Sequence, residues 1–261
     1  MRRLATPPER TALCLDFDGT LAPIVPDPEA ARPLEGTVEL LGRLAAGFAA
    51  VALISGRPAA FLAAHAAAPG VRLLGLYGLE EVRDGRVRVD PQVAAAQPAV
   101  RAALADLKAA PAVRESGAYL EDKGSALGVH LRRVAEPERW AGPVEAAARQ
   151  VAGAHGLEVL PGRLVWELRP PVRRDKGDAV RQVVASSSAA AVVVAGDDRG
   201  DLPAFDAVAD LAERSGLEGL RIAVRSGESP AELLARADLV VDGPEGLRAW
   251  LEGLLGSCST A

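Results

Sequence analysis

The sequence predicts an α/β protein, a doubly wound parallel-sheet core with a smaller α+β cap domain inserted into it. Three observations carry that expectation. Apolar runs at 12–15, 49–54 and 189–195 lack the polar alternation of a half-exposed strand, as strands buried on both faces do. Stretches with apolar residues at helical spacing separate such runs, the pattern of parallel strands joined by crossover helices. From about 92 to 168 the texture changes to two helical stretches among several short strands. The expected division is therefore a core over 1–82 and 170–261 and a cap over 83–169.

Taken in order, residues 1–11 are polar and Pro-containing, a loose end. The first buried run stops at Asp16-Phe17-Asp18, and Gly19-Thr20 turn the chain. Pro23 to Pro28 is too rich in proline for regular structure. Val38, Leu41, Leu44 and Ala45 mark a helix, and the second run, 49–54, ends in Ser55-Gly56-Arg57-Pro58, where Pro58 opens another. A third strand, 71–76, precedes Tyr77-Gly78, and Asp84-Gly85 between two short polar–apolar runs signals a hairpin. In the cap, helices are expected over 98–109 and 137–155, with strands near 113–115, 119–121, 126–133, 157–160 and 163–169. Asp175 is a plausible N-cap for a helix to 185. The run 189–195 then ends in Gly196-Asp197-Asp198, and helices at 203–214, 230–236 and 244–255 alternate with strands at 220–224 and 238–241.

Composition narrows the function. The chain has 261 residues, a net charge of −5 and 49% hydrophobic residues, enough for a sizeable core and a poor match to nucleic acid as partner. No apolar stretch approaches the roughly 18 residues of a membrane span. Met1-Arg2-Arg3 is basic but no apolar region follows it before Asp16, so no signal peptide is expected. The two cysteines, Cys14 and Cys258, are not expected to pair, which fits a reducing cytoplasm. Of 30 basic residues only Lys108, Lys123 and Lys176 are lysine. A lysine in such a chain suggests a place where a compact point charge is wanted instead of a planar fork.

In an open α/β sheet, ligands bind beyond the carboxyl ends of the strands. Parallel strands would bring Asp16, Asp18, Ser55 and Asp197 to one edge. Asp16 could attack phosphorus and Asp18 could carry the proton of the leaving oxygen. Asp16, Asp18 and Asp197 could share one Mg²⁺, a cation that takes oxygen ligands. Ser55 and the Gly56 amide could donate to phosphoryl oxygens, and Lys176 at a helix start suits an anion. Each residue alone has an ordinary structural explanation; the four motifs in this order are far more specific.

Asp16-Phe17-Asp18-Gly19-Thr20-Leu21 after an apolar run resembles the nucleophile motif of the haloacid-dehalogenase-like phosphatases, whose core is Rossmann-like. Over nearly its whole length the chain resembles the trehalose-6-phosphate phosphatases. The segment Glu121-Asp122-Lys123-Gly124-Ser125 to His130-Leu131-Arg132 is similar to the Glu-x-Lys-x-x-Ser…His-Tyr-Arg of that family, and Glu167-Leu168-Arg169-Pro170 also matches. The resemblance implies Asp16 as nucleophile, Asp18 as acid/base, Ser55 and Lys176 as further catalytic groups, and Asp197 as a metal ligand beside Asp198 and Asp201. It implies phosphoryl or sugar contacts from Gly19, Gly56, Arg57, Glu121, Lys123, His130 and Glu167. Strand parity places Glu121, Lys123, His130 and Glu167 on one face of the cap sheet, opposite Leu127, Val129, Leu131, Trp166 and Leu168.

Three departures stand out. Gly75-Leu76-Tyr77-Gly78 replaces the usual Gly-x-His-Gly, Gly200 and Leu202 replace Thr and Glu in the last motif, and Leu131 replaces Tyr. The expected function is Mg²⁺-dependent hydrolysis of trehalose 6-phosphate through an aspartyl-phosphate, by a cytoplasmic monomer. The alternatives are a related phosphatase acting on sucrose phosphate or mannosyl-glycerate phosphate, and a non-catalytic sugar-phosphate-binding partner of a trehalose-phosphate synthase.

Overall fold

The computed structural model describes residues 5–172, 174–227 and 229–258. The Met1-Arg2-Arg3 stretch lies outside the described residues, as does the side chain of Cys258. In chain order the strands are β1 (Thr11–Leu15), β2 (Ala50–Ile54), β3 (Val71–Gly75), β4 (Glu80–Arg83), β5 (Arg86–Val89), β6 (Tyr119–Asp122), β7 (Leu127–His130), β8 (Glu158–Gly162), β9 (Val165–Arg169), β10 (Ala191–Gly196), β11 (Glu218–Arg225) and β12 (Leu239–Asp242). The helices are α1 (Thr37–Ala45), α2 (Ala59–Ala66), α3 (Pro91–Ala109), α4 (Pro111–Ser116), α5 (Pro137–Ala154), α6 (Lys176–Ala185), α7 (Leu202–Ser215), α8 (Ala231–Arg236) and α9 (Gly243–Cys258). None is long and apolar enough to cross a membrane.

The chain divides into two compact units, 1–88 with 174–261, and 89–173. In the first, eight strands form one sheet in the order β12-β11-β10-β1-β2-β3-β4-β5. From β12 to β3 every pairing is parallel, and β4 turns antiparallel to β3. The chain leaves β1 in one direction through β2 and β3, and later returns to its other side through β10. The order therefore reverses between β1 and β10, a switch point of the kind that opens a crevice beyond the strand ends.

The sheet is covered on both faces, which explains the unbroken apolar runs. Leu13 and Leu15 of β1 pack with Leu40, Leu41 and Leu44 of α1, Leu62 of α2 and Leu247, Trp250 and Leu251 of α9. Ala12 and Cys14 pack with Val180 and Val183 of α6, Phe205 of α7 and Leu233 of α8. Full burial of each such Leu or Val side chain contributes about 1.5–3 kcal/mol. The hairpin expected at Asp84-Gly85 forms with both residues at positive φ, 52° and 70°, and β5 is the edge of this same sheet. The first unit therefore extends to Arg88, six residues beyond the expected 82, and resumes at Arg174, four beyond 170.

The second unit is a four-stranded antiparallel sheet, β6-β7-β9-β8, packed on helices. Its core joins Leu127, Val129, Leu131, Trp166 and Leu168 to Val100 and Leu107 of α3, Val113 of α4 and Val144 and Ala148 of α5. Two elements differ from expectation. Residues 113–115 lie in α4, because Pro111 starts a helical turn and Gly117, at φ 70°, ends it six residues later. Helix α3 begins at Pro91, capped by Asp90, and runs through Pro98.

Leu41→Ala, at a fully buried site, is expected to destabilise the first unit by about 2–5 kcal/mol. Val87→Ala, on the exposed edge strand, should change stability by less than about 0.5 kcal/mol. Thermal or denaturant melting of the two variants checks this; equal shifts would contradict the packing described.

Candidate active site

Strands β10, β1 and β2 are neighbours, and each ends in a reactive residue: Asp197 after Gly196, Asp16 after Leu15, and Ser55 after Ile54. Parallel register puts these ends at one edge. Asp16, Asp197 and Asp201 are all buried, and one carboxylate oxygen of each lies within 4.8 Å of the others. Asp197 presses on the backbone at Gly19, where a Cβ would stand 2.1 Å from its Oδ2. Gly19 has φ +75°, so both its conformation and its lack of a side chain are required.

Lys176 offsets part of this negative charge. It opens α6, whose start is fixed by a reciprocal cap: Asp178 N–H donates to Asp175 Oδ1, and Asp175 N–H to Asp178 Oδ2. The Lys176 ammonium, itself 5% exposed, lies 2.7 Å from Asp16 Oδ1 and 2.7 Å from Asp201 Oδ1. The other oxygen of Asp201, Oδ2, accepts the N–H groups of Asp197 and Asp198 at 2.9 and 3.1 Å. Both oxygens of Asp201 are thus committed, one to Lys176 and one to the turn that presents Asp197. A Cβ at Gly196 would stand 2.1 Å from the Asp201 carboxyl carbon, so this glycine makes room for the arrangement. Asp198 caps the short turn after it, accepting from Gly200 N–H at 2.8 Å.

Burial, with the nearby acids, pushes several carboxylates up. Asp197 rises to about 7, through desolvation and the charges of Asp201 and Asp198. Asp16 is held well above the usual carboxylate range, mainly by desolvation, although Lys176 opposes the shift. Asp198 is raised for the same first reason. Lys176 is raised because the attraction of Asp16 and Asp201 outweighs its own desolvation. The donor set is all oxygen and net acidic, which fits a hard divalent cation. Asp16 and Asp197 have the oxygens to hold one, whereas Asp201 would have to surrender its present partners.

Asp18 is not part of this group. Its two oxygens accept from Arg57 Nη2 and Nε, each at 2.8 Å, and Arg57 also lies over the Phe61 ring at 4.5 Å. The bidentate guanidinium attracts the Asp18 carboxylate, while Asp16, Asp197 and Asp201, of like charge, would repel it. Ser55 is buried, with its Oγ accepting Arg57 N–H at 3.1 Å, which leaves the hydroxyl proton for another acceptor. Gly56 lies beside it. Thr20, not singled out from sequence, is fully buried with its hydroxyl 3.2 Å from Asp197 Oδ1 and 3.5 Å from Asp16 Oδ2. Its place in the Asp-x-Asp-Gly-Thr-Leu motif was the available signal. Cys14 takes no part, since burial pushes its thiol up to about 12.

In the second unit the four residues predicted to share a face do so, as two hydrogen-bonded pairs. Lys123 Nζ lies 2.7 Å from Glu167 Oε2, and His130 Nε2 lies 2.9 Å from Glu121 Oε2. All four are partly exposed. Gly128 keeps the space between them open, because a Cβ there would stand 2.5 Å from His130 Nε2 and 3.0 Å from Glu121 Oε2. Tyr119, directly across from His130, adds an exposed ring to that face, 5.7 Å from the imidazole.

A family model described as trehalose-phosphatase matches residues 14–238. A trehalose-phosphate phosphatase of Mycobacterium marinum is 37% identical over 229 residues, which cover 84% of this chain and 55% of that protein. An uncharacterized glycosyl hydrolase of Mycobacterium tuberculosis is 39% identical over 237 residues, covering 87% of this chain and 17% of that protein. The chain thus spans about half or less of the length of these relatives. Among solved structures, a trehalose-6-phosphate phosphatase related protein has a similar fold, with a TM-score of 0.75 at 22% identity over 95% of this chain and all of the other.

A raised carboxylate has a defined linkage sign. Between its ordinary value of 3.8 and its folded value of about 7, Asp197 holds more proton in the folded state than in the unfolded one. Its contribution to stability is then complete at low pH and lost as the pH rises through about 7. Without divalent cations, the melting temperature should fall between pH 5.5 and 7.5. Mg²⁺ should raise it more at pH 7.5 than at pH 5.5, since protons compete for the same oxygens. Melting curves at both pH values, with and without Mg²⁺, check this; an Mg²⁺ effect larger at the lower pH would contradict it.

Proposed function

The chain belongs to the trehalose-phosphatase family, and from that premise we propose that it hydrolyses trehalose 6-phosphate to trehalose and inorganic phosphate. The observation that carries this reading is the setting of Asp16, fixed by Lys176 at the end of the central strand with Asp197 on one neighbouring strand and Ser55 on the other.

Lys176 engages Asp16 Oδ1, which leaves Oδ2 as the oxygen to attack phosphorus. As that bond forms, the bond from phosphorus to the sugar oxygen breaks, and Asp18 supplies the proton that the sugar oxygen takes. Asp18 then accepts a proton from water as the water oxygen attacks the aspartyl-phosphate. Phosphate leaves and the Asp16 carboxylate is restored. Ser55 and the Gly56 amide donate to the non-bridging oxygens, so most of the protein's contribution is positioning and charge. An anionic substrate would compete with Asp18 for the Arg57 guanidinium. Mg²⁺, held by Asp16 and Asp197, would neutralise charge on the phosphoryl oxygens.

The substrate's sugar is assigned to Glu121, Lys123, His130 and Glu167. Acid and amine groups on one open face can bracket hydroxyls, and the pairs Lys123–Glu167 and His130–Glu121 hold those groups in place. A different sugar ester, such as sucrose phosphate or mannosyl-glycerate phosphate, would use the same phosphoryl machinery and differ at this face. A binding-only role beside a trehalose-phosphate synthase would leave the Asp16–Lys176 pair without a use.

Release of phosphate from a panel of sugar phosphates, with and without Mg²⁺, tests the reading directly. Trehalose 6-phosphate should be preferred and chelation should stop turnover. Asp16→Asn should lower kcat by at least about three orders of magnitude with the fold intact. Near-normal phosphate release by that variant would sink the covalent mechanism.

The face of the second unit generates its own test. Glu121→Ala and Lys123→Ala should each lower kcat/KM for trehalose 6-phosphate about tenfold or more relative to p-nitrophenyl phosphate, because a group built to bond a hydroxyl loses its partner. Equal losses for both substrates would mean that these residues do not read the sugar.

A further inference from the structure

The open face of the second unit's sheet is laid out in rows, because residues paired across neighbouring strands stand side by side. In one row Tyr119 of β6 faces His130 of β7, and His130 faces Val165 of β9. In the next, Glu121 faces Gly128, Gly128 faces Glu167, and Glu167 faces Leu160 of β8. The polar groups of these rows are assigned above to sugar hydroxyls. Two apolar side chains of the same face are not: Tyr119 is 49% exposed and Leu160 43%. Scattered exposed apolar residues are ordinary. Two on one small face, among acids and a histidine, make a surface where apolar and hydrogen-bonding patches alternate.

Tyr119 is the one with a defined setting. Its ring centroid lies 5.7 Å from that of His130, with the two planes at 43°. A cross-strand ring pair can simply steady a hairpin. Aromatic pairs gain most when offset-stacked or edge to face, however, and this pair is neither. His130 instead holds its Nε2 2.9 Å from Glu121 Oε2, over the place where Gly128 has no side chain: a Cβ there would stand 2.5 Å from that nitrogen. The imidazole is drawn toward Glu121, and the phenol stays half exposed beside it. Tyr119 is thus a flat apolar plate, stiff because only two torsions move it, next to a hydrogen-bonded acid and imidazole.

A pyranose ring matches such a corner. Its hydroxyls project from the rim, and its C–H groups gather on the faces. Polarised C–H hydrogens meet the negative face of an aromatic ring, and the same contact takes apolar area out of water. We propose that Tyr119 is a platform for one pyranose ring of the substrate, whose C–H face lies on the phenol while its rim hydroxyls reach the His130–Glu121 pair. The proposal rests on the reading above in taking a sugar as the ligand of this face. It adds a choice of stereochemistry. In an α-linked glucopyranose one face carries the axial glycosidic oxygen and the other only axial hydrogens. The axial O2 of a mannopyranose interrupts that second face. The platform therefore favours a gluco ring over a manno ring, which separates a trehalose ester from a mannosyl-glycerate ester.

Ligand-detected NMR titration of trehalose into wild type, Tyr119→Phe and Tyr119→Ala, beside kinetics on trehalose 6-phosphate and p-nitrophenyl phosphate, tests it. The residue stands on an edge strand, and circular dichroism and melting would verify that each variant folds. Tyr119→Phe keeps the plate and should retain trehalose affinity within about twofold. Tyr119→Ala should weaken it about fivefold or more, and lower kcat/KM for trehalose 6-phosphate relative to p-nitrophenyl phosphate by a similar factor, through KM. Methyl α-D-glucopyranoside should bind wild type more tightly than methyl α-D-mannopyranoside, and Tyr119→Ala should lose that preference. Wild-type trehalose affinity in Tyr119→Ala would overturn the proposal. So would an equal loss in Tyr119→Phe, which would put the effect on the hydroxyl instead of the ring. Trehalose binding that falls in Tyr119→Ala, without hydrolysis of any sugar phosphate by wild type, would overturn the phosphatase reading and leave the platform standing. Hydrolysis of trehalose 6-phosphate with an unchanged KM in Tyr119→Ala would do the reverse. Absence of trehalose binding by wild type would overturn the platform.

Discussion

The buried bridge from Asp16 through Lys176 to Asp201 is the interaction on which the rest of this edge depends. Three carboxylates converge at the ends of parallel strands, where burial makes each negative charge expensive. A single ammonium 2.7 Å from two of them makes the convergence tolerable, at the cost of burying the lysine as well. The bridge also ties separate parts of the chain together. Asp16 follows the first strand, Lys176 opens the helix after the second unit, and Asp201 closes the turn after β10. A flexible stem and a compact charge suit this task better than a guanidinium would, in a chain whose other basic residues are almost all arginine.

Much of this was legible in the sequence because it obeys local rules. A strand buried on both faces shows itself as an apolar run, and a parallel sheet sends the residues after each run to one edge, so Asp16, Ser55 and Asp197 could be brought together from their positions alone. The Asp175 cap followed from its residue type, and the period of two placed Glu121, Lys123, His130 and Glu167 on one face. What could not be read depends on competition between distant partners. Asp18 stands two residues from Asp16, yet the Arg57 fork holds it apart from the carboxylate group. Residues 113–115 read as a strand from composition, but Pro111 and Gly117 set the limits of a helical turn. The hairpin at Asp84-Gly85 was visible, whereas its membership in the main sheet depended on which edge was free.

The two units hold their polar groups by different means. In the first, charge is buried and balanced by a lysine, so the positions of Asp16, Asp197 and Asp201 are set by backbone amides, glycines at close approach and the reciprocal cap of α6. In the second, the side chains of the pairs Lys123–Glu167 and His130–Glu121 are 14–22% exposed, so water reaches them more than it reaches Lys176 and Asp16, at 6% and 7%. Groups that water reaches can exchange a protein partner for a ligand hydroxyl at lower cost than groups sealed from it. Groups sealed as Asp16 is sealed exchange partners at higher cost, and the nucleophile proposed at that position would benefit from such rigidity.

The grip of Arg57 on Asp18 sets the direction of a carboxylate two residues from Asp16. Each Asp18 oxygen accepts one N–H of the guanidinium and keeps a second lone pair, while Arg57 commits two of its five N–H donors to the pair. An anion brought to Arg57 would compete with Asp18 for the same N–H donors, so the pair couples the direction of this carboxylate to whatever the guanidinium meets.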